Sequence, residues 1–281
     1  MPVAPLLFGS LDYEMGFERA RHTLLVGSVS AETPPNDDRE ARAARLATFR
    51  TELSAREKQL FEAARQATAA QLTPATPALR VREAALNAMS VSDELQRYHL
   101  EVLPAPQAID CHAGCHWCCH MKVSLTAPEI FALVEYLESG VSEQTRDRVK
   151  ARAAELSRDP RIFSSDAKVE ARIPCAMLSE QGACLVYPAR PLACRGYNSL
   201  DAESCRRSLD DDLEIVESNE PLVRDSAAVA LGLLVGIEDA GLPGELLELT
   251  SALHIALSEA NVLQRWLAGD APFAAALAER R

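Results

Sequence analysis

The sequence predicts a mainly α protein, a helical scaffold around an irregular, cysteine-rich centre, and three observations carry that expectation. Aromatic residues make up 5% of the 281 residues while Ala and Leu abound, a balance that favours helices packed through small side chains over a β-sandwich. On both sides of the centre, apolar residues recur near the 3.6-residue period of a helix. All eight cysteines fall between Cys111 and Cys205, in a stretch rich in turns.

The elements follow in order. Leu6 to Phe8 and Thr23 to Val29 have the composition of short strands, and Pro34-Pro35 ends whatever precedes it. Asn36 and Asp37 are N-cap residues for a helical stretch reaching about Gln71, with Leu46, Phe49, Leu53, Leu60, Phe61 and Ala64 on its apolar side. Pro74 and Pro77 interrupt it. A second helix is expected over about Ala78 to Leu103, before Pro104 and Pro106. After the first cysteines, Thr126-Ala127-Pro128-Glu129 is a capping box with Pro in the first turn, opening a helix that stops near Gly140. Ser142 caps another, to about Ser157. From Pro221 onward the pattern is helical again, broken at Gly241-Leu242-Pro243 and from Gly269 to Pro272. The reading divides the chain into an N-terminal helical region (1–107), a cysteine-cluster segment (108–208) and a C-terminal helical region (209–281), packed together as one unit.

Charge and hydropathy narrow the function. A net charge of -12 repels phosphate backbones, and no basic patch offsets it, so nucleic acid is not an expected partner. The longest apolar run, Ala227 to Ile237, is too short to span a bilayer. Met1 to Ser10 lacks the basic start of a secretory signal, and Asp12 and Glu14 follow at once. A cytoplasmic setting is therefore expected, where crowded thiols stay reduced and read as metal ligands or redox groups instead of disulfides.

The first knot runs Cys111-His112-Ala113-Gly114-Cys115-His116-Trp117-Cys118-Cys119-His120. Thiolates need a metal or a positive charge nearby to be stable at neutral pH. The two-residue gap between Cys115 and Cys118 lets one turn present both sulfurs to one ion. Adjacent Cys118 and Cys119 diverge, so one of them bridges, serves a second ion or stays free. The second knot holds Pro174-Cys175, Cys184, Tyr187, Arg190-Pro191 and Cys194-Arg195, with Cys205 beyond. All eight cysteines are candidate ligands of a metal-stapled centre. His112, His116, His120, Tyr187, Arg190 and Arg195 are candidates for the layer around them, the arginines offsetting thiolate charge. Eight thiols exceed the four of one closed site, so two zinc ions, or one four-iron cluster with spare thiols, both satisfy the count. Cys111-x3-Cys115-x2-Cys118 also fits the spacing of radical S-adenosylmethionine enzymes. Helical flanks and the absence of repeating strand–helix units speak against that barrel.

With both knots in view, about residues 108–208 resemble the bacterial cysteine-cluster family often called YkgJ-like, which is described as chelating zinc or iron. Its hallmark, a CxxxCxxCC-like knot, then Pro-Cys, Cys, Tyr, Arg-Pro and Cys-Arg, is matched by Cys111, Cys115, Cys118, Cys119, Pro174-Cys175, Cys184, Tyr187, Arg190-Pro191, Cys194-Arg195 and Cys205. The resemblance implies zinc or an iron-sulfur cluster as cofactor. The flagellin lysine methylases carry a similar cluster, which would imply an iron-sulfur centre beside methyl transfer, but no glycine-rich nucleotide loop is present here. The leading expectation is a metal-binding protein. The alternatives are an iron-sulfur-dependent enzyme of redox or protein-modifying type, needing an open coordination position or a reactive thiol such as Cys119 or Cys111, and a metal storage or delivery protein. A protein partner is left open.

Overall fold

The computed structural model describes residues 52–103, 107–210 and 214–278. The strands expected at Leu6 to Phe8 and Thr23 to Val29, and the caps at Asn36 and Asp37, lie outside the described residues.

The first described helix, α1 (Ala55–Gln71), corrects one expectation. The helical stretch does not run unbroken to Gln71 but starts afresh at Ser54, which accepts from the Glu57 N–H while Glu57 reaches back to the Ser54 N–H at 2.8 Å. This Ser-x-x-Glu box satisfies two of the orphan donors at the helix start. Helix α2 (Ala78–Glu101) follows, close to the expected bounds. After the first cysteine knot come β1 (Ser124–Leu125), α3 (Ala127–Ser139), α4 (Glu143–Leu156) and the short α5 (Ser165–Glu170). The second knot contributes α6 (Leu192–Gly196) and α7 (Ala202–Arg207). The chain then forms α8 (Glu220–Asp239), β2 (Leu247–Glu248), α9 (Leu249–Ser258) and α10 (Val262–Leu267). The protein is mainly helical, with cysteines clustered around its turn-rich middle.

The scaffold closes around α8. Helix α1 lies along it, and α2 and α6 pack on it as well. The approach of α1 is backbone-close because Gly232 and Gly236, one turn apart on α8, leave no side chain in the way. A methyl group on Gly232 would sit 2.5 Å from the Phe61 carbonyl oxygen, and one on Gly236 would sit 2.6 Å from that of Arg65. Charged pairs line the same seam, Arg224 to Glu57 at 2.7 Å and Arg56 to Asp225 at 2.8 Å. Buried His99 of α2 joins Asp225 at 2.7 Å.

On the other side, α3, α4 and α9 form a second helical layer. Phe131 meets Trp266 and Phe273, each with ring centroids 5.9 Å apart, and the Trp266 indole N–H donates to the Pro243 carbonyl. Strands β1 and β2 pair antiparallel, Ser124 with Glu248 and Leu125 with Leu247, and so pin the exit of the first knot to the start of α9. The second knot is woven into the core, since Ala176, Met177, Val186, Ala189 and Leu192 are buried in the same apolar cluster as Leu133 and Leu233.

Candidate metal centre

The first knot is a chain of tight turns. Gly114 takes a positive φ of 92°, the Cys115 N–H bonds the His112 carbonyl at 3.0 Å, and Trp117–His120 form a 3-10 turn. Asp110 anchors this knot to the far end of the cysteine segment. Its N–H donates to the Ser199 carbonyl at 2.9 Å, and its carboxylate accepts from the Ala202 N–H at 2.9 Å. The Ser199 N–H in turn donates to the Cys111 sulfur at 3.3 Å. These bonds seat α7, which carries buried Cys205, against the 3-10 turn. Cys115, Cys118 and Cys205 all lie near enough to Cys111 to act on its thiol.

Cys119 is tied to the remaining cysteines through its backbone. Its carbonyl accepts from the Cys175 N–H at 2.8 Å, and Cys175 opens a hairpin in which Leu178 bridges Cys184. Gly182, with φ 75°, turns this hairpin against the first knot, where a methyl group would come within 3.0 Å of His116 Nδ1 and 3.2 Å of the Gly114 carbonyl. Cys194 arrives on α6, whose first N–H, that of Leu192, donates to Glu129 Oε1 at 2.9 Å. The other oxygen of Glu129 accepts from the Thr126 N–H at 2.7 Å, so the capping box of α3 also holds α6. Glu129 lies wholly inside, and burial raises its pKa despite these donors.

The thiols act on one another in two sets that overlap at Cys118. Burial pushes Cys111 up to about 11, the Ser199 N–H opposes it, and thiolates at Cys115, Cys118 and Cys205 would push it further. Burial likewise raises Cys205, and Cys118 adds to it. In the other group, Cys119 is raised by its hydrogen bond to Cys118 and by burial, with Cys175 and Cys184 contributing. Burial raises Cys175, takes Cys184 to about 11 and holds Cys194 well above its usual range, where Cys175, Cys118 and Cys184 also act on it. Cys118 alone runs the other way, down to about 7, because Cys119 hydrogen-bonds to it and Arg190 lies near. Being felt by both groups, Cys118 sits at their seam.

The cysteines are free and their thiols only loosely assembled. Among the described residues, no three His, Cys, Asp or Glu side chains stand close enough together to hold a metal ion as they are. The donor chemistry fits zinc or iron, for soft thiols in this number suit those metals and not magnesium or calcium. Residues 110–216 match the CxxCxxCC family, described as a putative zinc- or iron-chelating domain. This is the cysteine-cluster family that the motif resembles, and the match covers well under half of the chain. No curated protein and no solved structure matches it.

Within the CxxCxxCC segment the surrounding candidates have distinct places. The Arg190 guanidinium stacks on the exposed Tyr187 ring at 3.9 Å and lowers the pKa of Cys118, Cys184 and Cys194. Arg195 does something else. Its buried fork bonds Asp93 and the carbonyls of Arg190 and Pro188, bracing the loop between the two. Arg206 and Arg207 pair at the surface with Glu203 and Glu214. His112, His116 and His120 each bond a backbone carbonyl through Nδ1.

Two side chains near the thiols were not singled out from sequence. Lys168 on α5 is 1% exposed, its Nζ donates to the Met121 carbonyl at 3.0 Å, and its charge favours ionised Cys175. Tyr197 is half-buried near Cys205, Cys118 and Cys111, its hydroxyl pKa raised by loss of solvent and by those thiols. The chain uses lysine at only four positions, 58, 122, 150 and 168, among 29 basic residues. Scarcity alone does not single out Lys168, because Lys58 and Lys150 are exposed surface residues.

Proposed function

We propose that the CxxCxxCC segment is a metal centre with two four-thiolate groups, Cys111, Cys115, Cys118 and Cys205 in one, and Cys119, Cys175, Cys184 and Cys194 in the other. What supports this reading is that Cys118 acts on Cys111, Cys115 and Cys205, while Cys175 and Cys184 act on Cys119, so the two adjacent thiols, though hydrogen-bonded to each other, have different further neighbours. Rotation of thiol side chains already tethered by backbone hydrogen bonds would close each group on a zinc or iron ion, with loss of the thiol protons. Four thiolates leave no open position on a tetrahedral ion, so the centre serves to bind metal and to join the two knots. Arg190 and Lys168 supply positive charge against the thiolates.

Elemental analysis of protein purified without oxygen tests this. About two zinc ions per chain in a colourless sample, or iron with broad visible absorption, is the expected result. Cys205→Ser and Cys194→Ser should each remove one site and leave the other. Metal-free protein with eight titratable thiols would sink the proposal, and equal loss of all metal in both variants would sink the division into two groups.

A further inference from the structure

The three histidines of the first knot share a chemical state that the thiol groups do not require. His112 Nδ1 lies 2.8 Å from the Asp110 carbonyl oxygen, His116 Nδ1 3.0 Å from that of Gly114, and His120 Nδ1 3.3 Å from that of Trp117. A carbonyl oxygen only accepts, so each Nδ1 carries a proton, and Nε2 is the nitrogen through which each ring can present a lone pair. An Nδ1–H bonded to a carbonyl is the usual state of a histidine that binds metal through Nε2, because the bond sets both tautomer and ring orientation.

His116 and His120 are also neighbours. Their ring centroids are 6.1 Å apart, and both rings are partly shielded. His116 is braced by Trp117, with centroids 4.4 Å apart, and by the turn at Gly182. With metal–nitrogen bonds of about 2.1 Å, two imidazoles on one ion hold their centroids roughly 5–6 Å apart, close to the separation seen here. A net charge of -12 favours cations over the whole surface.

We propose that Nε2 of His116 and Nε2 of His120 form a separate, weaker site for a borderline divalent transition-metal ion such as Zn2+, Ni2+ or Co2+, with water completing the coordination. Imidazole suits these ions. With only two protein ligands the ion is exchangeable, unlike one held by four thiolates. The site stands independently of the reading of the cysteines.

Cobalt(II) is the probe. The full-length protein, stripped of metal and reduced, is titrated with Co2+, following total bound metal by dialysis and thiolate-to-cobalt charge transfer by absorption. The expected result is one weakly held ion per chain that adds no charge-transfer band, besides those that do. In the double variant H116A/H120A this ion should bind at least about tenfold more weakly while the thiolate band persists, which also reports that the variant is folded. Should the double variant lose that band, H116Q and H120Q are read in its place, and each must weaken the same ion. An unchanged weak ion in the variants overturns the proposal, as does wild-type protein with no such ion. A wild-type titration with the weak ion but no thiolate band would count against the cysteine centre and leave the histidine site intact.

Discussion

An ammonium group as deeply buried as that of Lys168 loses most of its hydration, and one carbonyl does not replace it. Its compensation comes from Glu248, also buried, and from ionised Cys175, both of which its charge favours. Lys168→Met keeps the stem and removes the charge. The Cys175 thiol should then hold its proton more tightly, so metal would be lost at a higher pH on acidification. Chelator competition at fixed pH should show affinity about 10–100-fold lower, the usual cost of losing an outer partner of a metal site; unchanged affinity would confine Lys168 to its pairing with Glu248. A second residue answers to pH with the scaffold alone. Burial raises the Glu57 pKa, but the Arg224 fork and the Ser54 N–H outweigh it and bring it below 4.5. A depressed folded value means stability that is full above about 4.5 and lost as pH falls through the folded value. Glu57→Gln should cost about 1–3 kcal/mol near neutrality, read by urea unfolding, and the gap to wild type should close in acid. A gap that stays constant with pH would show that the ion pair contributes nothing.

Elements were legible where a local signal spans the whole element. The Thr126 to Glu129 box, the Ser142 cap and the stop at Gly140 all carry short-range chemistry, and α3 and α4 lie where that chemistry puts them. The Ser54 box has the same chemistry but falls inside an apolar period that runs on, so periodicity concealed a fresh start. Strands β1 and β2 have two residues each, too few for alternation to register, and their pairing depends on a partner more than a hundred residues away. The α1–α8 contact was equally hidden, since Gly232 and Gly236 look like helix-weakening residues until the neighbouring backbone is in view. On propensity alone Gly232→Ala should stabilise α8. Instead a methyl group 2.5 Å from the Phe61 carbonyl oxygen forces α1 away, and the expected outcome is destabilisation of about 1–3 kcal/mol in thermal or urea unfolding. Stabilisation by the alanine would mean that α1 shifts without cost.

Across the whole molecule, the cysteines and their order were plain in the sequence, but their grouping was not. Cys111 and Cys205 meet through Asp110, Ser199 and Ala202, and Cys119 meets Cys175 through one backbone bond, links no spacing rule contains. The same links decide what metal removal does. A zinc finger without its metal unfolds because little else holds it. Here the second knot also buries Ala176, Met177, Val186, Ala189 and Leu192 against the helices, and Glu129 ties α6 to α3. The scaffold also has its own seam where α1 lies along α8, closed by Gly232 and Gly236. Chelation under reducing conditions should therefore act locally. Hydrogen exchange should accelerate over residues 110–120 and 199–208, where turns and a short helix depend on the thiols, while α8 and α3 keep their protection. Between these limits the hairpin from Cys175 to Cys184 should change least among the cysteine-bearing parts, because its apolar side chains remain buried. Uniform loss of protection through α8 would show instead that the metal centre and the scaffold fold as a single cooperative unit.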